Sequence, residues 1–161
     1  YFTALEQRYN ALKAQTADYT SRPKVMLNTP YNDTWFMPPV RNYAVQLIAD
    51  AGAEYIYPQN NSSESVAISL EQALLLASTA DVWINLGQIS SLAQLKAENP
   101  KFAGVDVVRK GRVYNCTAIS TPAGGSDFWE SAIVRPDVVL EDMINIVRGD
   151  DENLYYHHRL R

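Results

Sequence analysis

Residues 55–85, YIYPQNNSSESVAISLEQALLLASTADVWIN, decide the fold. They read as a short strand, a polar loop, a capped helix and a second strand. Ser69 can cap the helix through its hydroxyl, and Gln72, three residues on, can reach back to the capping residue's amide. That reciprocal cap leaves Glu71 free to point outward from the first turn. After Asp81, the run Val82-Trp83-Ile84-Asn85 is short, apolar and rich in β-formers, as expected of a strand covered by helices on both faces. Gly87 and polar residues follow at once, and loops at such strand ends are where open α/β sheets bind ligands.

The pattern extends in both directions. Upstream, Ser21-Arg22-Pro23 stops a helix and Val25-Met26-Leu27 starts a strand. In residues 40–51, Ala44, Leu47, Ile48 and Ala51 recur at helical spacing, and Gly52 fits a left-handed cap before a strand at residues 53–57. Downstream, Ser91-Leu92-Ala93-Gln94 repeats the capping pattern, and Asn99-Pro100 ends that helix. Residues 102–108 form a short turn or helix, and Gly111 leads into a fourth strand through Asn115. Pro136 suits the first position of the last helix and Asp137 its positive end; Val139, Leu140, Met143, Ile144 and Val147 line one face, and Gly149 closes it. The alternation βαβαβα predicts an α/β, Rossmann-like lobe with a mainly parallel sheet between two layers of helices.

Outside this alternation lie a leading helix, a tail and two long loops. Phe2, Leu5, Tyr9 and Leu12 make one apolar stripe on a helix of about five turns, and that stripe must be covered by something. The chain thus divides into a leading helix at 1–22, which the resemblance given below makes a connecting helix, an α/β unit at 23–149 and a tail at 150–161. The tail, DDENLYYHHRLR, is either frayed or pinned by Tyr155 and Tyr156. The loop NTPYNDTWFMPP carries Tyr31, Trp35 and Phe36, which form either a lid over the core or a ligand platform. The second loop, residues 120–137, has Gly124-Gly125 for flexibility and Phe128-Trp129 on a single helical turn.

With 161 residues, 47% hydrophobic and 20% charged, the chain suits one globular domain with a sizeable core. Its net charge of −4 and lack of a Lys/Arg run give no footprint for nucleic acid. No stretch approaches the roughly 18 apolar residues of a membrane span. Because it opens at Tyr1, inside apparent helix, the chain reads as a piece of something longer. Cys116 is alone and reads as a buried thiol in a strand. The motifs GxGxxG, GxxxxGK[ST], GxSxG, HExxH and CxxC are absent, which argues against an enzyme and assigns no catalytic residue, metal site or cofactor. His157 and His158 are adjacent, whereas a helical ligand pair needs a spacing of three or four. Asp127 and Glu130, three apart, leave acid–base chemistry open beside plain capping roles. An enzyme on a doubly wound domain and a non-catalytic interaction domain remain the alternative readings.

Taken together, RPKVML, YNDTWF, LIADAGAEY, SLEQALLLASTADVWIN, NPKFAGVDVVRKGRVYN and FWESAIVRPDVVLEDMI resemble the C-terminal lobe of the periplasmic solute-binding proteins that serve iron-siderophore, haem and cobalamin ABC importers. The resemblance covers nearly the whole chain. It implies two α/β lobes joined by a long helix, with ligand in the cleft between them, so that an N-terminal lobe is the first partner. It also implies an extracytoplasmic, lipoprotein-anchored location and a membrane permease, on whose arginines Glu71 would dock. Cleft-facing candidates are Tyr31 and Trp35 in the first loop, Asn60 and Asn61 in the second, Gln88 in the third, and Asp127 and Trp129 in the last. Trp35 and Trp129 suit the flat apolar faces of large ligands best, whereas Trp83, within a strand, reads as core. The loops hold no His for free zinc or manganese, and only Arg41 and Arg135 flank them, which favours a bulky, weakly charged iron chelate or a tetrapyrrole such as haem or cobalamin. The stripe on the leading helix is expected to meet its own lobe or a second copy of the chain.

Overall fold

The computed structural model describes residues 2–119, 125, 126 and 128–161, with Trp129 and Glu130 described by their backbone alone. The leading helix α1 (Phe2–Gln15) ends after four turns and has no fully buried residue. Tyr9 and Leu12 nevertheless rest against the core. Polar contacts dominate its seat: Arg8 bonds Asp137 at 2.8 Å and also Glu141, while the Tyr9 hydroxyl donates to Asp50 at 2.6 Å. Burial first, and then that bond, raises the Tyr9 pKa. Phe2, the far end of the predicted stripe, is exposed.

The main sheet has the order β3-β1-β5-β6-β7, built from β1 (Lys24–Leu27), β3 (Glu54–Tyr55), β5 (Val82–Ile84), β6 (Val113–Asn115) and β7 (His158–Arg159). The first four are mutually parallel, and β7 returns antiparallel to β6. Met26 lies opposite Trp83, and Ile84 opposite Tyr114. Every residue of β5 and β6 is buried, the pattern of strands with helices on both faces. The crossover helices are α2 (Tyr43–Asp50), α3 (Leu70–Ala77), α4 (Leu92–Glu98) and the short α5 (Asp106–Arg109), and the single turn α6 (Phe128–Ser131) and α7 (Pro136–Arg148) lie between β6 and β7.

Local signals placed most boundaries. Ser69 accepts from the Gln72 amide while the Gln72 side chain accepts from the Ser69 amide, completing the reciprocal cap. Asn42 caps α2 and Ser91 caps α4 in the same one-sided way. Gly52 takes φ 82° after α2, and a Cβ there would fall 2.5 Å from the Tyr19 ring, so both backbone and space demand glycine. Cys116 is buried, which pushes its thiol up to about 11.

One feature departs from the sequence reading, and a second decides between two readings that it left open. The aromatic loop contains a strand, β2 (Thr34–Met37), which pairs antiparallel with β4 (Val66–Ser69) in a separate two-stranded ribbon. Just before β2, Asn32 and Asp33, both at positive φ, make the tight turn that brings Tyr31 against Thr34. The tail is pinned, and α7 supplies the anchor. Both carboxylate oxygens of Asp142, itself 2% exposed, accept backbone N–H bonds from Tyr155, Tyr156 and His157 at 2.7–3.0 Å. Tyr156 is thereby buried and β7 delivered to the sheet edge.

Candidate functional site

From β1 the chain crosses to β3 on one side, and from β3 it crosses back over β1 to β5 on the other. Two crossovers of one hand in opposite directions put α2 and α3 on opposite faces, which opens a crevice at the carboxyl ends of β1 and β5. The residue after each of these strands is an asparagine in the left-handed region, Asn28 at φ 72° and Asn85 at φ 61°. Asparagine tolerates that conformation better than other non-glycine residues. The Asn28 amide donates to the Ile84 carbonyl, and the Trp83 indole donates to the Asn28 carbonyl at 2.7 Å, so the two turns are locked to each other.

Between these turns, the start of α2 and the inner face of α7 lies a cavity of about 240 Å³. Leu27, Ile84, Pro38, Leu47, Phe128, Val139 and Met143 make its walls apolar; Asn28, Asn42, Asn85, Tyr43 and His157 are its polar members. Tyr43 is half exposed, and burial of the rest raises its pKa. His157 is 2% exposed, and its Nδ1 lies 3.1 Å from Asp142 Oδ2. The neighbouring His158 turns away to Thr117 at 2.7 Å, and burial, followed by the proximity of His157, lowers its pKa. Among the described residues no cluster of His, Cys, Asp or Glu is placed to hold a metal ion.

The predicted site residues fall into three groups. Tyr31, Asn61 and Gln88 are exposed, in the segments that follow β1, β3 and β5, at the same end of the sheet as the cavity. Gln88 is presented by a buried asparagine: Asn115 donates to the carbonyls of Gly87 and Ile89 and accepts from the Leu86 amide. Trp35 and Asn60 are corrections. Trp35 has no exposed surface; its indole donates to the Leu27 carbonyl at 3.0 Å and packs on Trp83 and Phe102 at 5.6 and 5.4 Å between centroids. It is core, because the ribbon turns its side chain inward. Asn60 is 3% exposed and spends both amide hydrogens on the Met37 and Glu64 carbonyls and its oxygen on Ser62, which leaves nothing for a ligand. Asp127, Gly124 and the Trp129 side chain lie outside the described residues. Glu71 is exposed on the first turn of α3, which as the β3-to-β5 crossover also starts at the strand carboxyl end.

Sequence reasoning missed Asn28, Asn85, Asn42 and His157. An asparagine after a strand signals a turn without saying what the turn faces. The burial of His157 depends on Asp142, fifteen residues away on α7.

Comparison with known proteins agrees with this geometry. The sequence profile described as periplasmic binding protein matches residues 1–119. An uncharacterised lipoprotein of Methanocaldococcus jannaschii is 27% identical over 131 residues, which is 80% of this chain and 30% of that protein. The iron-uptake ABC transporter substrate-binding protein of Streptococcus pneumoniae superposes with a TM-score of 0.61 at 17% identity, covering 92% of this chain and 53% of that one. A siderophore periplasmic binding protein of Thermobifida fusca gives 0.63 at 15% identity, over 91% and 52%. The chain therefore spans about half the length of these structures and less than a third of the lipoprotein. By the match across residues 1–119, and with a fold shared by those solved structures, this chain belongs to the periplasmic binding protein family.

Proposed function

We propose that this chain is the C-terminal lobe of an extracytoplasmic, lipoprotein-anchored solute-binding protein that delivers a ferric chelate to an ABC permease. The observation that carries this reading is the family match over residues 1–119, which takes in α1 and every parallel strand. The resemblance to proteins described as serving iron uptake and siderophore binding supports an iron chelate over haem or cobalamin. Ligand rests on the strand carboxyl-end face, where Tyr31, Asn61 and Gln88 are exposed and Asp127 and Trp129 follow β6. The other lobe covers the exposed part of α1 around Phe2; where it does not, that end of α1 favours contact with a second copy. Glu71 docks on permease guanidinium groups. Its capping box holds the helix start rigid, and a carboxylate pairs with guanidinium in a geometrically selective way.

Titration of the full-length protein with a ferric hydroxamate, haem and cobalamin tests the ligand class: ferric hydroxamate binds and is recovered unchanged. Chemical turnover of any of the three, or binding of none, refutes the reading. Glu71→Gln leaves affinity unchanged and lowers uptake about tenfold or more, the scale of one lost charge-assisted contact of 1.5–3 kcal/mol. An affinity loss with normal uptake would move Glu71 into the binding site and sink the docking role.

A further inference from the structure

The cavity between the turns after β1 and β5 is buried at its floor and open at its rim. Leu27, Ile84, Leu47, Val139 and Met143 make the floor, each at most 3% exposed. Asn28, Asn42, Tyr43 and Phe128 make the rim, all exposed or half-buried. Asn28 follows β1, Asn42 and Tyr43 begin the crossover that returns from that end of the sheet, and Phe128 follows β6, so the mouth opens on the strand carboxyl-end face. Among the described residues, the lining holds no Lys, Arg, Asp or Glu. An ionised group entering it would exchange water for hydrocarbon walls without a counter-charge, whereas an apolar group gains with the area it buries. Size narrows the occupant further. A cavity of about 240 Å³ exceeds the roughly 150 Å³ that suffices elsewhere for benzene, and is smaller than the roughly 300–1,000 Å³ of sites that take a whole drug-sized ligand.

We propose that this cavity is a subsite for one uncharged, apolar arm of the bound solute, an aryl or branched alkyl group of ring size, while the rest of the solute stays on the surface above it. The assignment rests on the reading that a ferric chelate approaches the strand carboxyl-end face. The floor is preformed, because Leu27 and Ile84 face each other in the register of β1 and β5, and Val139 and Met143 lie one turn apart on α7. Asn28, Asn42 and Tyr43 put amides and a phenol at the rim, where the polar linkage of such an arm would pass.

Benzene, benzoate and benzylamine are the probes, used on the full-length protein with ¹³C-labelled Ile, Leu and Val methyl groups. Benzene binds saturably and gives intermolecular NOEs to the Ile84 and Val139 methyls, and the two charged probes bind about tenfold or more weakly. A linear ferric trihydroxamate with a benzoylated terminal amine binds on the order of tenfold tighter than its acetylated counterpart, since only the first carries a ring to bury. Val139→Phe fills the cavity and removes the benzene NOEs and the benzoyl preference together. The wild-type measurements decide even where Val139→Phe does not fold. Absence of NOEs to the floor, equal affinity for benzene and benzoate, or equal binding of the two acylated chelates would each overturn the subsite. Benzene on the floor of a protein that binds no ferric chelate refutes the proposed function alone, and chelate binding without the benzoyl preference refutes the subsite alone.

Discussion

Replacing Trp35 by alanine separates a ligand platform from a core residue. The indole has no exposed surface and meets Trp83 and Phe102 in a three-ring cluster, in which Trp83 and Phe102 are themselves 6.0 Å apart. Emptying such a site costs about 3–5 kcal/mol, since neighbours relax only in part. The Leu27 carbonyl also loses its indole donor at 3.0 Å, which adds about 1 kcal/mol. The sum, about 4–6 kcal/mol, rivals the whole stability of many domains, about 5–15 kcal/mol.

At roughly 2–4 °C per kcal/mol for a chain of this size, Trp35→Ala lowers Tm by about 10–20 °C in calorimetry of the full-length protein. Trp35→Phe keeps a ring against Trp83 and Phe102 but loses the N–H, and costs about 1–2 kcal/mol. Below the new Tm both variants bind solute as the wild type does, because the side chain reaches no surface. A solute affinity lowered tenfold or more with Tm moved by less than about 3 °C would refute the burial argument and return Trp35 to the ligand face.

Asp142→Asn removes charge from an acceptor of three backbone N–H groups and one imidazole, and is expected to cost about 3–5 kcal/mol. Hydrogen exchange at the amides of Tyr155, Tyr156 and His157 accelerates ahead of exchange at β5, and uniform protection would show that the tail is held otherwise. His158 predicts a pH dependence: its folded pKa is lowered by burial, so below about 6.5 the unfolded chain binds the proton first. Stability therefore falls as pH drops from about 6.5, by up to about 1.4 kcal/mol per unit, and levels off below the folded value. His158→Gln removes that segment of the urea-midpoint profile; an unchanged profile would assign it to another group.

What could be read from the sequence was whatever its own neighbours decide. Ser69 and Gln72 cap the same helix in any context, Gly52 and Gly149 close theirs in the left-handed region, and the apolar run at Val82 marks a strand before its partners are known. The candidate site rests on pairings that no local window contains. Thr34–Met37 became a strand because Val66–Ser69, some thirty residues on, offered it an edge, and that pairing turned Trp35 from the surface into the core. Asn60 looked like a free polar side chain until the Met37 and Glu64 carbonyls claimed its amide. His157 is the strongest case. Next to His158 in a charged tail it resembles a solvated residue, and its position is fixed instead by Asp142 on α7 and by the docking of β7 on β6. The register between Asn115 and His158 sets the neighbouring His157 beside the strand ends where Asn28 and Asn85 turn. A one-residue slip of β7 would exchange the faces of His157 and His158, so the register of that antiparallel edge strand determines which histidine the cavity receives.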